Sequence, residues 1–482
     1  MISLKDPSLL GPHAAEPGRQ DTLGACFAVR DPATGTAIMC VADFNVARAR
    51  EAIDIAYAAR SEWAARTADE RCSIMLRWSR LMLENIEDLS VILTSEMGKP
   101  LTEARAEITY AASYIEWFAE EGRRVYGDVI PAHGQSKRIF VLKQPVGVAA
   151  LITPWNFPSA MIARKAAPAL AAGCSIVARP SELTPLSALA MGVLAKRAGI
   201  PSEIFHILPS TDAAGIGLEL CSNTKVRKLS FTGSTRVGSL LMRQAAGDIK
   251  RLSLELGGNA PFVVFDDADL DKAVAGAIIA KFRNAGQTCV CANRIYVQKN
   301  VLDAFADKLC QAVAELNVGN GLSGDTQIGP LISPQALAKV EEHIQDAMQH
   351  GAKLRLGGRR HARGGQFFEP TVLTDVSHDM KVAREETFGP VAPLFAFDTV
   401  EEVIDRANDS EYGLAAYFYT RDLSRAWKFA EALEFGMVGI NTAAISTAQA
   451  PFGGVKQSGV GREGSRYGIN EYLELKYLCL ET

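Results

Sequence analysis

Between residues 148 and 246 a short apolar run followed by a stretch of helical period occurs four times. The runs at 148–153, 175–178, 204–208 and 226–231 lead into helical stretches at 158–172, 184–198, 214–220 and 236–246. Strands that alternate with helices join one sheet as parallel neighbours through crossover connections. The pattern therefore predicts an α/β fold with a parallel sheet covered by helices. This is the usual nucleotide-binding architecture, although fold alone does not fix function.

A second α/β series begins near 253–256. Strands are expected at 260–265, 294–298, 353–356, 391–397 and 415–419, and helices at 270–285, 301–314, 334–350 and 423–432, with a glycine- and arginine-rich loop at 357–366. Ahead of the first series, a turn at 31–36 precedes a short strand. Helical patterns follow at 45–66, 68–96 and 102–122, the last two separated by Gly98-Lys99-Pro100. Their charged faces suggest helices that cover a sheet. The stretch 138–152 reads as a long strand broken at Gln144-Pro145. The tail 471–480 alternates like a strand and, with 138–143, is a candidate subunit interface, because an exposed apolar edge needs a partner.

A chain of 482 residues is too long for one compact domain. Its net charge of −4 gives no basic footprint for nucleic acid or an anionic membrane. No apolar run approaches the roughly 20 residues of a membrane span, and the first residues lack signal- or transit-peptide patterning. The nine cysteines are mostly isolated, with no CxxC pair and no zinc spacing, so neither a disulfide framework nor a metal site is expected. These features fit a cytoplasmic protein.

Only Cys289 and Cys291 stand one residue apart, in KFRNAGQTCVCANR (281–294). Small and polar residues surround them, with Arg283 and Arg294 to either side. Backbone donors and nearby positive charge favour a thiolate, where a free thiol has a pKa of about 8.5. The segment reads as a nucleophile or as a solvated loop that contains cysteines. In TPWNFP (153–158) two prolines hold Asn156, whose amide suits an oxyanion or merely caps a turn. Glu255 ends an apolar strand in LSLELGGNA. Desolvation there would raise its pKa toward that of a general base, unless it belongs to a buried ion pair. In FTGSTRVG (231–238), Gly233 and Ser234 open a helix and could offer N–H groups to a pyrophosphate. The glycines are five apart, so this is not the GxGxxG fingerprint.

GQTC resembles the nucleophile motif of the aldehyde dehydrogenase superfamily. TPWNFP, FTGSTRVG, ELGG and EETFGP (385–390) resemble its further motifs in order and spacing, and FRNAGQTCVCANR is similar to the succinate-semialdehyde dehydrogenases. The resemblance runs from about residue 31 to the C-terminal strand. It implies an NAD(P)-binding Rossmann-type domain (1–124 and 143–252), a catalytic domain (253–447), oligomerisation strands (125–142 and 468–482), and a return of 448–467 to the cofactor domain.

The resemblance also implies roles. Cys289 would be the nucleophile, Asn156 and the Cys289 backbone amide the oxyanion donors, and Glu255 the base that activates water. Lys165 and Glu463 match proton-relay positions. Thr153, Pro154, Trp155, Arg179, Ser181, Glu182, Gly233 and Ser234 match cofactor-binding positions, as do Glu386 for the nicotinamide ribose and Phe388 for its ring. Arg164, Arg283 and Ser446 match positions that hold a distal carboxylate, a task suited to guanidinium groups. Cys291 is either a redox partner of Cys289, which needs the loop to move, or a bystander.

The family commonly has lysine where Arg179 stands, and close NADP-using relatives have serine where Glu182 stands. Glu182 would repel a 2′-phosphate and favours NAD, while Arg179 offsets part of that repulsion; the two could equally form a surface ion pair. The expected activity is oxidation of succinate semialdehyde to succinate by a homo-oligomer using NAD, with NADP possible. Glutarate semialdehyde, a broader aldehyde range, or a non-catalytic protein of the same fold are the alternatives.

Overall fold

The computed structural model describes residues 2–19 and 23–482. The first α/β series forms a six-stranded sheet. Its spatial order is Gly459–Val460, Arg251–Glu255, Val226–Thr232, Val148–Ile152, Ser175–Arg179, Phe205–Ile207. All neighbours are parallel except the first pair. Val148–Ile152 and Ser175–Arg179 are buried along their whole length, as expected for a sheet covered on both faces.

Alternate side chains sort the helices. Val148 and Ala150 pack into one core with α1 (Val46–Ala65), while Ala149 and Leu151 face the opposite one. That opposite face carries α2 (Ala68–Glu84), α3 (Ile86–Met97), α4 (Leu101–Glu121), α5 (Pro158–Ala172) and α6 (Pro185–Ala198). On the α1 side lie α7 (Ala213–Ser222) and α8 (Thr235–Ala245).

Of the early helices, α1 lies directly on Val148–Ile152 and Ser175–Arg179, whereas α2 and α4 stand further out on the opposite face. Helix α5 is buried on every side, so it needs a second layer, and α2 and α4 supply it. The single helix expected over 68–96 is two, because the Asn85 backbone and side chain both bond the Leu81 carbonyl and end the first.

The second series forms a seven-stranded sheet in the order Lys353–Leu356, Thr371–Thr374, Val391–Phe397, Ala292–Gln298, Ala260–Val264, Ala415–Tyr419, Met437–Ile440. A boundary at 252/253 is corrected here, since it would cut the Arg251–Glu255 strand, which pairs in register with Val226–Thr232. The chain passes to the second sheet only after Glu255. Strands Thr371–Thr374 and Met437–Ile440 and the helix Val400–Asn408 were not expected from the sequence.

The broken strand resolves into Lys137–Pro145 and Val148–Ile152, which lie in different sheets. Lys137–Pro145 pairs antiparallel with both the C-terminal strand Leu473–Glu481 and Asp128–Ile130. Among the described residues no helix is long and apolar enough to cross a membrane.

Candidate active site

In the six-stranded sheet the chain direction of winding reverses between Val148–Ile152 and Val226–Thr232. Ligands of such sheets bind beyond the carboxyl ends of the strands at that point. TPWNFP leaves one of these strands and Gly233-Ser234 the other. Ser234 caps α8 by accepting from Val237 N–H. The expectation that Gly233 offers its own N–H is corrected, because that group donates to the Glu255 carbonyl at 3.1 Å. The remaining donors are those of the first turn of α8.

Cys289 follows a strained turn. Asn284 and Ala285 both have φ 53° and Gly286 has φ 76°, three successive left-handed residues, two of them not glycine. The turn is held by Glu103, which accepts from Asn284 N–H at 2.9 Å, and by Asn284 Nδ2, which donates to the Gln287 carbonyl at 3.2 Å. Beyond it, Cys291 N–H bonds the Thr288 carbonyl and Tyr417 Oη donates to the Val290 carbonyl at 2.8 Å. A Cβ on Gly258 would run into the Cys289 carbonyl, which is why ELGG ends in glycine. One on Gly286 would run into the Gly389 carbonyl, so the EETFGP turn packs on the same loop.

Cys289 opens into a cavity of about 190 Å³ lined also by Arg164, Arg283 and Ser446, with Phe157, Met161 and Phe452 as apolar wall. The positive charge that the sequence offers in favour of a thiolate meets an opposing effect in the structure. Desolvation pushes the thiol up to about 12, and the nearby Arg164 charge only partly opposes it. The small neighbours that look solvated in the sequence are buried. Glu255 is likewise raised well above the usual carboxylate range, first by burial and then by Glu463. Both its carboxyl oxygens are buried without a hydrogen-bond partner. Burial thus works towards the neutral form of both groups.

Arg164 and Lys165 sit side by side on α5, both buried, and each pairs with Glu463, Arg164 Nη2 at 2.7 Å. Burial works against both charges in this group. The two cations nevertheless hold Glu463 below its usual range, and Glu463 holds Arg164 charged. Arg164 also stacks 3.8 Å over Phe452, while its Nε has no hydrogen-bond partner. Lys165 does not line the cavity, whereas Arg164, Arg283 and Ser446 do.

Asn156 Nδ2 donates to the Gln287 carbonyl at 3.1 Å, which joins the oxyanion candidate to the nucleophile loop. Cys291 is buried with its Sγ 3.5 Å from the Lys281 carbonyl, and the chain from 288 to 291 makes a turn closed by the Cys291 N–H bond to the Thr288 carbonyl.

For a dinucleotide, Glu386 is the central observation. It is half-buried, accepts from Gly258 N–H at 3.0 Å, and lies close enough to Gly257 that a Cβ there would sit 3.2 Å from Oε2. Phe388, at φ 55°, meets Trp155 edge-on at 5.5 Å. At the other end of the crevice Arg179 donates to Glu182 at 2.7 Å and to the Ser210 carbonyl at 3.0 Å, and its Nε is buried without a partner. Ser181 Oγ accepts from Leu183 N–H, and the buried Thr153 Oγ1 has no partner. Polar groups left unsatisfied along a glycine-shaped cleft fit a dinucleotide.

Sequence reading missed Lys99, Glu103, Glu107 and Tyr110, all on or just before α4. Glu103 and Glu107 are four residues apart and share one face of α4, and Lys99 stands in the loop just before that helix. A charged stripe on a helix that must also be buried was the signal available.

A half-buried thiol that opens into a cavity, an amide donor and a buried carboxyl, met beside a Rossmann-type sheet, define a dinucleotide-dependent dehydrogenase with sulfur at its centre. The chain belongs to the aldehyde dehydrogenase family, whose model matches residues 19–478. It is 59% identical over 457 residues to the succinate-semialdehyde dehydrogenase [NADP(+)] GabD of Escherichia coli (strain K12), 95% of each chain. It is 58% identical over 482 residues to a glutarate-semialdehyde dehydrogenase of Pseudomonas aeruginosa, 99% of each. The crystal structure of an E. coli NADP dependent enzyme, 56% identical, superposes with a TM-score of 0.97 over the whole of both chains. The chain is thus an NAD(P)-dependent oxidoreductase of aldehydes.

Proposed function

We propose that the protein oxidises succinate semialdehyde to succinate, with NAD favoured over NADP. The observation that carries this reading is the convergence of Arg164, Arg283 and Ser446 on the cavity that holds Cys289. Two guanidinium groups and a hydroxyl suit a carboxylate at the far end of a short aldehyde. The apolar wall of the same cavity suits its methylenes. The relative named for glutarate semialdehyde supports a second reading with one more methylene, a difference worth only about 1–3 kcal/mol.

In this reading Glu255, once ionised, takes the Cys289 thiol proton as Sγ attacks the aldehyde carbon, and Asn156 Nδ2 with the Cys289 N–H holds the resulting oxyanion. Glu386 and Phe388 would hold the nicotinamide end of a dinucleotide, which when bound would supply the acceptor for the hydride that this carbon must lose. Asn156 and the Cys289 N–H then hold the thioester carbonyl for a second attack. Glu255, once ionised, takes a proton from the attacking water, and the acid leaves as Cys289 recovers its thiol. Lys165 and Glu463, behind Glu255, give its proton a route away from the cavity. Glu182 repels a 2′-phosphate, but its pairing with Arg179 blunts the effect. A preference for NAD of about tenfold, the ~1.4 kcal/mol scale of one screened charge, is expected.

Initial rates with succinate and glutarate semialdehyde, each with NAD and NADP, test this. The expected result is a higher kcat/KM for succinate semialdehyde with NAD, abolished in Cys289→Ala. Good turnover of uncharged aldehydes beside poor turnover of both semialdehydes would overturn the carboxylate pocket. NADP preference would overturn the Glu182 argument alone.

A further inference from the structure

A buried charge is costly unless paired, and Lys99 is 1% exposed in the loop that joins α3 to α4. Its Nζ donates to Glu107 Oε2 at 2.6 Å and to the backbone carbonyl of Asn156 at 2.7 Å. It also lies 3.7 Å over the Phe157 ring. Asn284 Nδ2 gives the Asn156 carbonyl a second donor at 3.1 Å. Glu107 Oε1 meanwhile accepts from Ser159 and Ala160 N–H at 2.9 and 3.2 Å, the first-turn donors of α5. The Lys99–Glu107 pair therefore grips TPWNFP at two points, the peptide of Asn156 and the start of the following helix.

The grip is anchored on its other side. Gly98 has φ 93°, and a Cβ there would sit 2.8 Å from both Pro32 and Pro330. Leu101 N–H bonds the Gly321 carbonyl at 3.0 Å, and a Cβ on Gly321 or Gly329 would run into the carbonyls of this loop. Asn156 itself lies between a strand and a helix, where no ladder fixes its peptide. A charge-assisted hydrogen bond to that peptide orients the side chain that grows from it.

We infer that Lys99 is a positioning residue for the oxyanion donor: by holding the Asn156 carbonyl it aims the Asn156 amide at the oxygen that becomes negative. Lys99 touches neither substrate nor dinucleotide in this role. The inference rests on Asn156 being the oxyanion donor, so the test separates the two. Misplacing a group by about 1 Å can cost on the order of 10²-fold in rate, so a remote anchor can matter to catalysis.

The experiment is a double-mutant cycle on the full chain, read by hydrolysis of p-nitrophenyl acetate. This reaction needs the Cys289 thiol and the oxyanion donor but neither a dinucleotide nor a distal carboxylate. Asn156→Ala is expected to lower kcat by about 10²–10³-fold. Lys99→Met should lower it by about tenfold or more with KM nearly unchanged, and Lys99→Arg should recover most of the loss. The double variant should be no slower than Asn156→Ala alone, because Lys99 then has no amide left to aim. A double variant that loses the product of the two single factors, or Lys99→Met at the wild-type rate, overturns the inference. A wild-type rate in Asn156→Ala overturns the oxyanion reading and this inference with it. If Lys99→Met does not fold, Lys99→Met/Glu107→Gln, which also removes the charge left behind, takes its place in the cycle.

Discussion

Burial pushes the Glu386 carboxyl from 4.5 up to about 7, with the Gly258 N–H pulling it back only in part. In the free chain this group stabilises the fold fully below pH 4.5, and that contribution is lost as pH rises through 7. A ribose diol donates best to the ionised carboxylate, so dinucleotide binding below pH 7 should expel a proton. The affinity for NAD, measured by fluorescence titration, is expected to weaken by up to tenfold per unit between pH 7 and 6. In Glu386→Gln the slope should vanish and binding should be weaker throughout. An affinity flat across that range in the unaltered protein would remove Glu386 from the ribose. The positions of Glu386, Glu255, Asn156 and Cys289 were legible because each stands in a dense local motif. Their protonation was not, since the charge state of Cys289 depends on packing by residues far away in sequence. Lys99 was hidden for a related reason: it meets Asn156 across 57 residues, through a helix whose pattern reads as ordinary amphipathic cover.

At the scale of elements, two glycines decide how closely the sheets approach. Gly257 and Gly258 follow the last strand of the first series and lead into the second sheet, and the nucleophile loop and Glu386 both press on them. Gly258→Ala would place a methyl group against the Cys289 carbonyl. That loop is already strained at Asn284 and Ala285, so it has little freedom to yield. The chain should fold with a thermal midpoint lowered by a few degrees, while kcat falls by about 10²-fold or more, the cost of a misplacement near 1 Å. Wild-type kcat in a folded Gly258→Ala would mean that the approach of the two loops does not set the position of the thiol. The alternating strands and helices of both series were legible from apolar periodicity, because each buries one continuous run. Thr371–Thr374 and Met437–Ile440 were not, being four-residue strands whose pairing is set by neighbours already in place. The extent of Arg251–Glu255 in the first sheet was missed because register with Val226–Thr232, not local sequence, assigns it.

At the scale of the whole molecule, the C-terminal strand is an apolar edge without cover in the single chain. Leu473–Glu481 forms one edge of a three-stranded sheet, and all but its first residue are exposed. Leu475, Tyr477, Leu478 and Leu480 are between 39% and 70% exposed, too much apolar surface to leave on a bare edge. An unpaired strand with such side chains is a template for association unless another chain covers it. The sequence already marked this tail and 138–143 as a subunit contact. The structure adds that the two segments pair with each other from Leu473↔Pro145 to Glu481↔Lys137, so a partner would meet them as one preformed surface. A second copy of the chain is the natural partner, since a self-complementary patch closes a symmetric assembly. Sedimentation velocity at micromolar concentration is expected to give a dimer or tetramer. Leu475→Asp/Tyr477→Asp, which puts two charges on the strand without touching either sheet core, should shift it to a monomer. Since Cys289, Arg164, Arg283 and Ser446 line the cavity within a single chain, the monomer is expected to keep these groups in place at low temperature and lose activity mainly through a lower thermal midpoint. A monomeric unaltered protein, or a doubly charged variant that stays assembled, would mean that this strand is not the contact.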